Sequence, residues 1–167
     1  MTRGAAGAAW LFTTAAAVYL LDRLTKLMAV RVLEGRPPIR LLPGVNLTFT
    51  TNPGGAFSIG GGTPWVFVGA TIMVSAVIVL TAFRHTGMLP AAALGSVLGG
   101  ALGNLTDRIL RGPDLRGHVI DFIDVGPWPV FNVADSAIVI GAILLAWTGL
   151  RTRREPDHEP AAGPDGG

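Results

Sequence analysis

The chain has 167 residues, 50% of them hydrophobic and only 14% charged, with a net charge of +2 and no cysteine. Soluble domains usually carry about 25% charged residues, so this composition and a mean hydropathy of +0.51 point to lipid as the main solvent. They exclude a nucleic-acid module, which would show a basic stripe or a known motif; the missing cysteine excludes disulfides, thiolate metal sites, cysteine nucleophiles and lipidation of this chain on cysteine.

Four stretches suit a transmembrane helix, which needs about 20 mostly apolar residues. The first runs from about Ala5 to Val30. It is longer than the roughly 7–15 apolar residues of a cleaved leader, so it reads as a retained helix. Its last third carries Asp22, Arg23 and Lys26. Asp22 and Lys26 share a helix face and can pair, either as a structural ion pair or as groups lining a site. The long connection from 31 to 63 contains Val45, Leu47 and Phe49 alternating with Asn46, Thr48 and Thr50, which is strand periodicity. Asn52-Pro53-Gly54-Gly55 follows with turn chemistry. It forms either a simple turn or a floor for an extended peptide, with Asn52 donating to the peptide backbone.

The second stretch, Pro64 to Phe83, has no charge, and Pro64 suits a first helical turn. Arg84-His85-Thr86-Gly87 then makes a tight turn, so the second and third stretches form an antiparallel hairpin. The third runs from Met88 to about Thr106. Gly95, Gly99 and Gly103 recur every four residues, a small-residue face for close helix contact. Gly100, Asn104 and Asp107 share another face. Asp107 with Arg108 forms either a capping pair or part of a polar site. Residues 108–130 are the second long connection, on the same side as the first because two spans separate them. The fourth stretch runs from about Asn132 to Leu150, and the Pro- and Gly-rich tail beyond it reads as disordered.

Ionisable groups at membrane depth are costly and mark function or paired structure. Asp121 sits in the apolar run His118-Val119-Ile120-Asp121-Phe122, and apolar company raises a carboxyl pKa. Asn132 is a good N-cap, which puts Asp135 at the third helical position beside the positive end of the helix dipole. The short Val125–Val130 connection folds one toward the other. Each acid alone has an ordinary use, Asp121 in a loop and Asp135 in a first turn, and Asp124 is a rival for either role. If the two meet, one holds a proton while the other is charged, as aspartic proteolysis requires. A metal site is not indicated: there is no H-E-x-x-H, and His85, His118 and His158 lie in separate segments. Ser58, Ser75, Ser96 and Ser136 lack a plausible histidine base.

In order, these blocks resemble those of lipoprotein signal peptidases, the type II signal peptidases. That family's pattern is D-x-x-T-K, N-x-G-A-A-F-S, G-G-A-x-G-N-x-x-D-R, G-x-V-[VI]-D-F and F-N-x-A-D. Here it reads Asp22–Lys26, Asn52–Ser58, Gly99–Arg108, Gly117–Phe122 and Phe131–Asp135. Gly55 replaces the usual Ala, and the stretch between Asp121 and Asp135 is a few residues shorter than the family's. The resemblance implies an all-α membrane protein of four transmembrane helices. It adds a small extracytoplasmic β-cradle from part of residues 36–60 and a short outer-face loop or helix. Residues 1–150 would form the peptidase domain and 151–167 a cytoplasmic tail.

It also implies an aspartic endopeptidase of the bacterial inner membrane that cuts prolipoproteins before the diacylglyceryl-modified cysteine. Asp121 and Asp135 would be the catalytic pair. Asn52, Gly54, Asn104, Asp107, Arg108, Asn132 and Ala134 would support substrate or dyad geometry, and Asp22 with Lys26 would be structural. No cofactor, nucleic acid or obligate protein partner is implied beyond the substrate and membrane lipid. Arginine counts alone divide between the two sides, although Arg151, Arg153 and Arg154 cluster against a span and favour termini inside. The resemblance implies the same orientation, with the dyad near the outer surface. A proton-coupled transporter would normally show inverted repeats, and none is visible. A non-catalytic scaffold would not need Asp121 and Asp135.

Overall fold

A computed structural model of the chain describes residues 2–53, 64–84, 87–113 and 117–152. The first helix, α1, spans Arg3–Leu33 and is capped by Thr2, whose hydroxyl accepts from the Ala5 amide at 3.4 Å. Strands β1 (Ile39–Leu42) and β2 (Val45–Asn52) follow as an antiparallel hairpin. Gly44 supplies the positive φ of +79° that the tight turn needs. Helix α2 spans Pro64–Thr81 and ends in a short 3₁₀ turn over Ala82–Arg84. Helix α3 spans Met88–Leu110, β3 spans Val119–Asp124, and α4 spans Val133–Thr152.

Among the described residues, α1, α3 and α4 are long and apolar enough to cross a membrane. Their outward side chains agree with that: Leu20, Leu24, Met28, Val139 and Ile143 are all exposed. Helices this apolar on every side are suited to lipid. The bounds lie within a few residues of the sequence expectation: α1, α3 and α4 run slightly farther, and α2 stops at Thr81.

The glycine face of α3 meets α1, as its spacing implies. A methyl group on Gly99 would stand 2.5 Å from the Ala15 carbonyl, and one on Gly103 would strike the Asp22 carboxylate. Gly95 abuts Leu11, so α3 runs parallel to α1. On its other side, Gly100 lies against the Ala134 carbonyl and Gly141 against that of Ala93, so α4 runs antiparallel. The carbonyl of Phe83, just after α2, abuts Gly4. The end of α2 therefore lies beside the start of α1, away from the sheet.

The sheet is larger than the sequence suggested. Its order is β1-β2-β3, with β3 antiparallel to β2 and Thr50 opposite Asp121. The β-cradle expected from residues 36–60 thus takes its third strand from the second long connection. Alternation could not reveal β3, because Val119 through Phe122 are all buried. Ile120 and Phe122 pack on Ala29 and Leu33 at the end of α1, with Leu47 and Phe49 of β2 against the same cluster. That contact fixes the sheet to one end of the helices, where α1 and α3 finish and α4 begins.

Candidate active site

Residues from β2, β3 and three helices, α1, α3 and α4, converge beneath the sheet. Asp121, on β3, is 2% exposed. The chain leaves β3, turns at Gly126 with φ of +82°, and returns so that Phe131 pairs with Ile123. This return delivers Asn132 and the first turn of α4 beside Asp121. Asn132 is fully buried and caps α4 as its sequence predicts. Its side-chain oxygen accepts from the Asp135 amide at 2.9 Å, and Asp135 Oδ2 accepts from the Asn132 amide at 3.3 Å. This reciprocal arrangement is a capping box with Asp in the third position.

Asn132 also reaches the other acid. Its Nδ2 donates to Asp121 Oδ1 at 2.6 Å and to the Ile120 carbonyl at 3.2 Å. Asp121 and Asp135 therefore flank one asparagine, and each feels the other's charge. Burial, and then the charge of Asp135, push the Asp121 carboxyl up to about 7, against the opposing pull of Asn132, Asn52 and Lys26. Asn52, at the end of β2, hydrogen-bonds Asp121 with its side chain. Gly54 and the rest of its turn lie outside the described residues. Asp124, the rival acid, points elsewhere: it accepts from Asn46 Nδ2 at 3.2 Å and from the Gly126 amide at 2.9 Å.

Asp135 receives a second donor, Asn104 Nδ2, at 2.8 Å. Asn104 Oδ1 in turn accepts from Lys26 Nζ at 2.8 Å and from Asn132 Nδ2 at 3.2 Å. Lys26 is the centre of a buried charge cluster. Its ammonium pairs with Asp22 at 2.9 Å, as the helical spacing predicts, and with Asp107 at 3.0 Å. Asp107 also pairs with Arg23, contacts Arg111 at 3.5 Å and accepts from the Ile120 amide at 3.3 Å. Asp22 Oδ1 accepts from the Ala134 amide at 3.0 Å, tying α1 to the first turn of α4. Ala134 contributes through that backbone contact, and Gly100 leaves the room for it.

The Asp107 carboxylate pairs across to α1 with Arg23 and Lys26 and contacts Arg111 on its own helix. Consecutive helical side chains point about 100° apart, so Arg108 turns to another side. It is 7% exposed, and Asp121, Asp107 and Asp135 are the charges acting on it. Arg23 was passed over in the sequence as a site residue. Its position one turn before Lys26, inside an apolar span, was the signal available.

Residues 14–151 match the family model described as Signal peptidase (SPase) II. The chain belongs to the signal peptidase II family. It is 44% identical over 164 residues to a lipoprotein signal peptidase of Mycolicibacterium smegmatis, covering 92% of this chain and 70% of that protein. It is 48% identical over 139 residues to one from Rhodococcus jostii, covering 81% and 69%. Two solved structures described as bacterial membrane enzymes share the fold. One has a TM-score of 0.80 at 27% identity over 91% of this chain and 94% of its own. The other has a TM-score of 0.73 at 29% identity over 84% and 92%. A signal peptidase II is a protease, so a peptide-bond-cleaving centre is to be sought among the buried polar groups.

Proposed function

We propose that this chain is an aspartic endopeptidase of the bacterial cytoplasmic membrane. It removes the signal peptide from diacylglyceryl-modified prolipoproteins by cutting on the N-terminal side of the lipidated cysteine. The supporting observation is the juxtaposition of Asp121 and Asp135 on either side of Asn132, with each carboxylate acting electrostatically on the other. The relatives named lipoprotein signal peptidase supply the substrate class.

The hydrogen bonds suggest a division of labour. Asp135 accepts N–H donors from Asn104 and from the Asn132 backbone, and we assign it the role of the base. Asp121, raised to about 7, holds the shared proton. Asp135 takes a proton from water as the oxygen attacks the scissile carbonyl carbon. Asp121 hydrogen-bonds the carbonyl oxygen as charge develops there. The C–N bond then breaks, and the pair returns a proton to the amine of the departing cysteine. The two acids titrate as one unit.

The topology we infer has four spans, both termini cytoplasmic, and the sheet with the acid pair at the outer surface. Two findings support α2 as the fourth span. β2 and β3 join in one sheet and α3 runs parallel to α1, which is consistent with α2 making the return. Its final turn reaches Gly4, at the far end of α1.

Asp121→Asn and Asp135→Asn each remove the ability to pass a proton while keeping side-chain volume. With purified protein and a lipidated prolipoprotein peptide, the parent should cleave before the modified cysteine. Both variants should lose at least about a thousandfold in kcat/KM with unchanged folding. Cleavage retained by either variant overturns the assignment.

A further inference from the structure

A side-chain amide has a donor end and an acceptor end, so its value to a neighbouring carboxylate depends on which end faces it. Asn132 is fixed without ambiguity. The Asp135 backbone N–H can only donate, so the atom it meets at 2.9 Å is Oδ1, and Nδ2 must face Asp121. Asn104 has no backbone group to set it in this way. Two donors meet its Oδ1, and the shorter contact is the ammonium of Lys26 at 2.8 Å. That contact, with Asn132 Nδ2 at 3.2 Å on the same oxygen, leaves Nδ2 to face Asp135 at 2.8 Å.

We propose that Lys26 is a positioning residue for the acid pair, holding the Asn104 amide in the orientation that presents N–H rather than C=O to Asp135. This rests on the proposed aspartic peptidase activity. Lys26 is itself fixed by Asp22 and by Asp107, which also holds the half-buried Arg23 and contacts Arg111. Its location is what an ordinary ion pair would not require. The ammonium spans from the α1–α3 cluster to Asn104, which hydrogen-bonds Asp135 from α3. Without Lys26, Oδ1 is left with the longer 3.2 Å contact from Asn132 Nδ2, and the amide is held less firmly with its N–H toward the carboxylate.

The charged groups facing Asp135 are Asp121 from β3 and Arg108 from α3. Lys26 reaches it through Asn104, and Asp22 contacts the adjacent Ala134 amide. Removing Lys26 alone would leave Asp22 uncompensated, so the test uses an Asp22→Asn background. Asn at that position still accepts from the Ala134 amide. In this background, Lys26→Met and Asn104→Ala are made singly and together. Folding is followed by thermal unfolding, and kcat/KM is followed against pH with the lipidated peptide.

Lys26→Met should move the acid limb of the profile up by about one pH unit and lower kcat about tenfold, the scale of one charge-assisted hydrogen bond. Asn104→Ala should do the same, and Lys26→Met added to it should move the limb no further, because the effect passes through that amide. An acid limb that stays put in Lys26→Met, or moves equally in both backgrounds, overturns the positioning role. If the Asp22→Asn background cleaves normally in that case, the peptidase reading stands. Lack of cleavage by the parent chain would instead overturn that reading itself.

Discussion

At the scale of single residues, the site is organised by two asparagines. Asn132 lies between the acids and Asn104 lies between Asp135 and Lys26, so each acid of the pair meets an asparagine side-chain N–H. The raised pKa of Asp121 has a consequence for stability that is separate from catalysis. Its folded value is about 7 against 3.8 unperturbed. Between these values the folded protein binds more protons than the unfolded chain, so this group's contribution falls as pH rises through the window and levels off above it. Asp121→Asn carries no such proton. Its apparent Tm in detergent should therefore gain on the parent's steadily from pH 4 to 7, whereas a constant difference would contradict the assigned burial. The capping role of Asn132 and the place of Asp135 were legible because a cap acts over three residues. The link from Lys26 to Asn104 was not, because nothing in the sequence shows which face of α3 meets which face of α1.

At the scale of elements, close backbone approach brings these groups within reach. Long side chains between α1 and α3 would hold Lys26 away from Asn104; the glycine face removes them. Gly99→Ala should destabilise the fold by about 1–3 kcal/mol through overpacking against Ala15. Gly149→Ala, with nothing within 4 Å of the new methyl, should be neutral or add up to about 1 kcal/mol through helix propensity. Thermal unfolding of the two variants checks both. The four apolar stretches and β2 were readable because lipid-facing helices and half-buried strands leave periodic or continuous patterns. β3 was not, being buried on both faces between β2 and the helix ends, and so the strand setting of Asp121 was hidden.

At the scale of the whole molecule, the sheet and the acid pair occupy one end of the helices, with the start of α1 and the end of α4 toward the other. The lack of native cysteine makes that arrangement easy to test. In intact cells, a membrane-impermeant maleimide should label Pro127→Cys, in the exposed loop after β3. It should label Arg3→Cys, at the exposed start of α1, only after permeabilisation. The reverse pattern would invert the proposed orientation. The claim on which the account depends is that Asp121 and Asp135 divide one proton. The most direct measurement is kcat/KM against pH for the parent enzyme on a lipidated prolipoprotein peptide. A bell is expected, with its descending limb near pH 7 where Asp121 gives up its proton. A rate that climbs steadily into the alkaline range would contradict it.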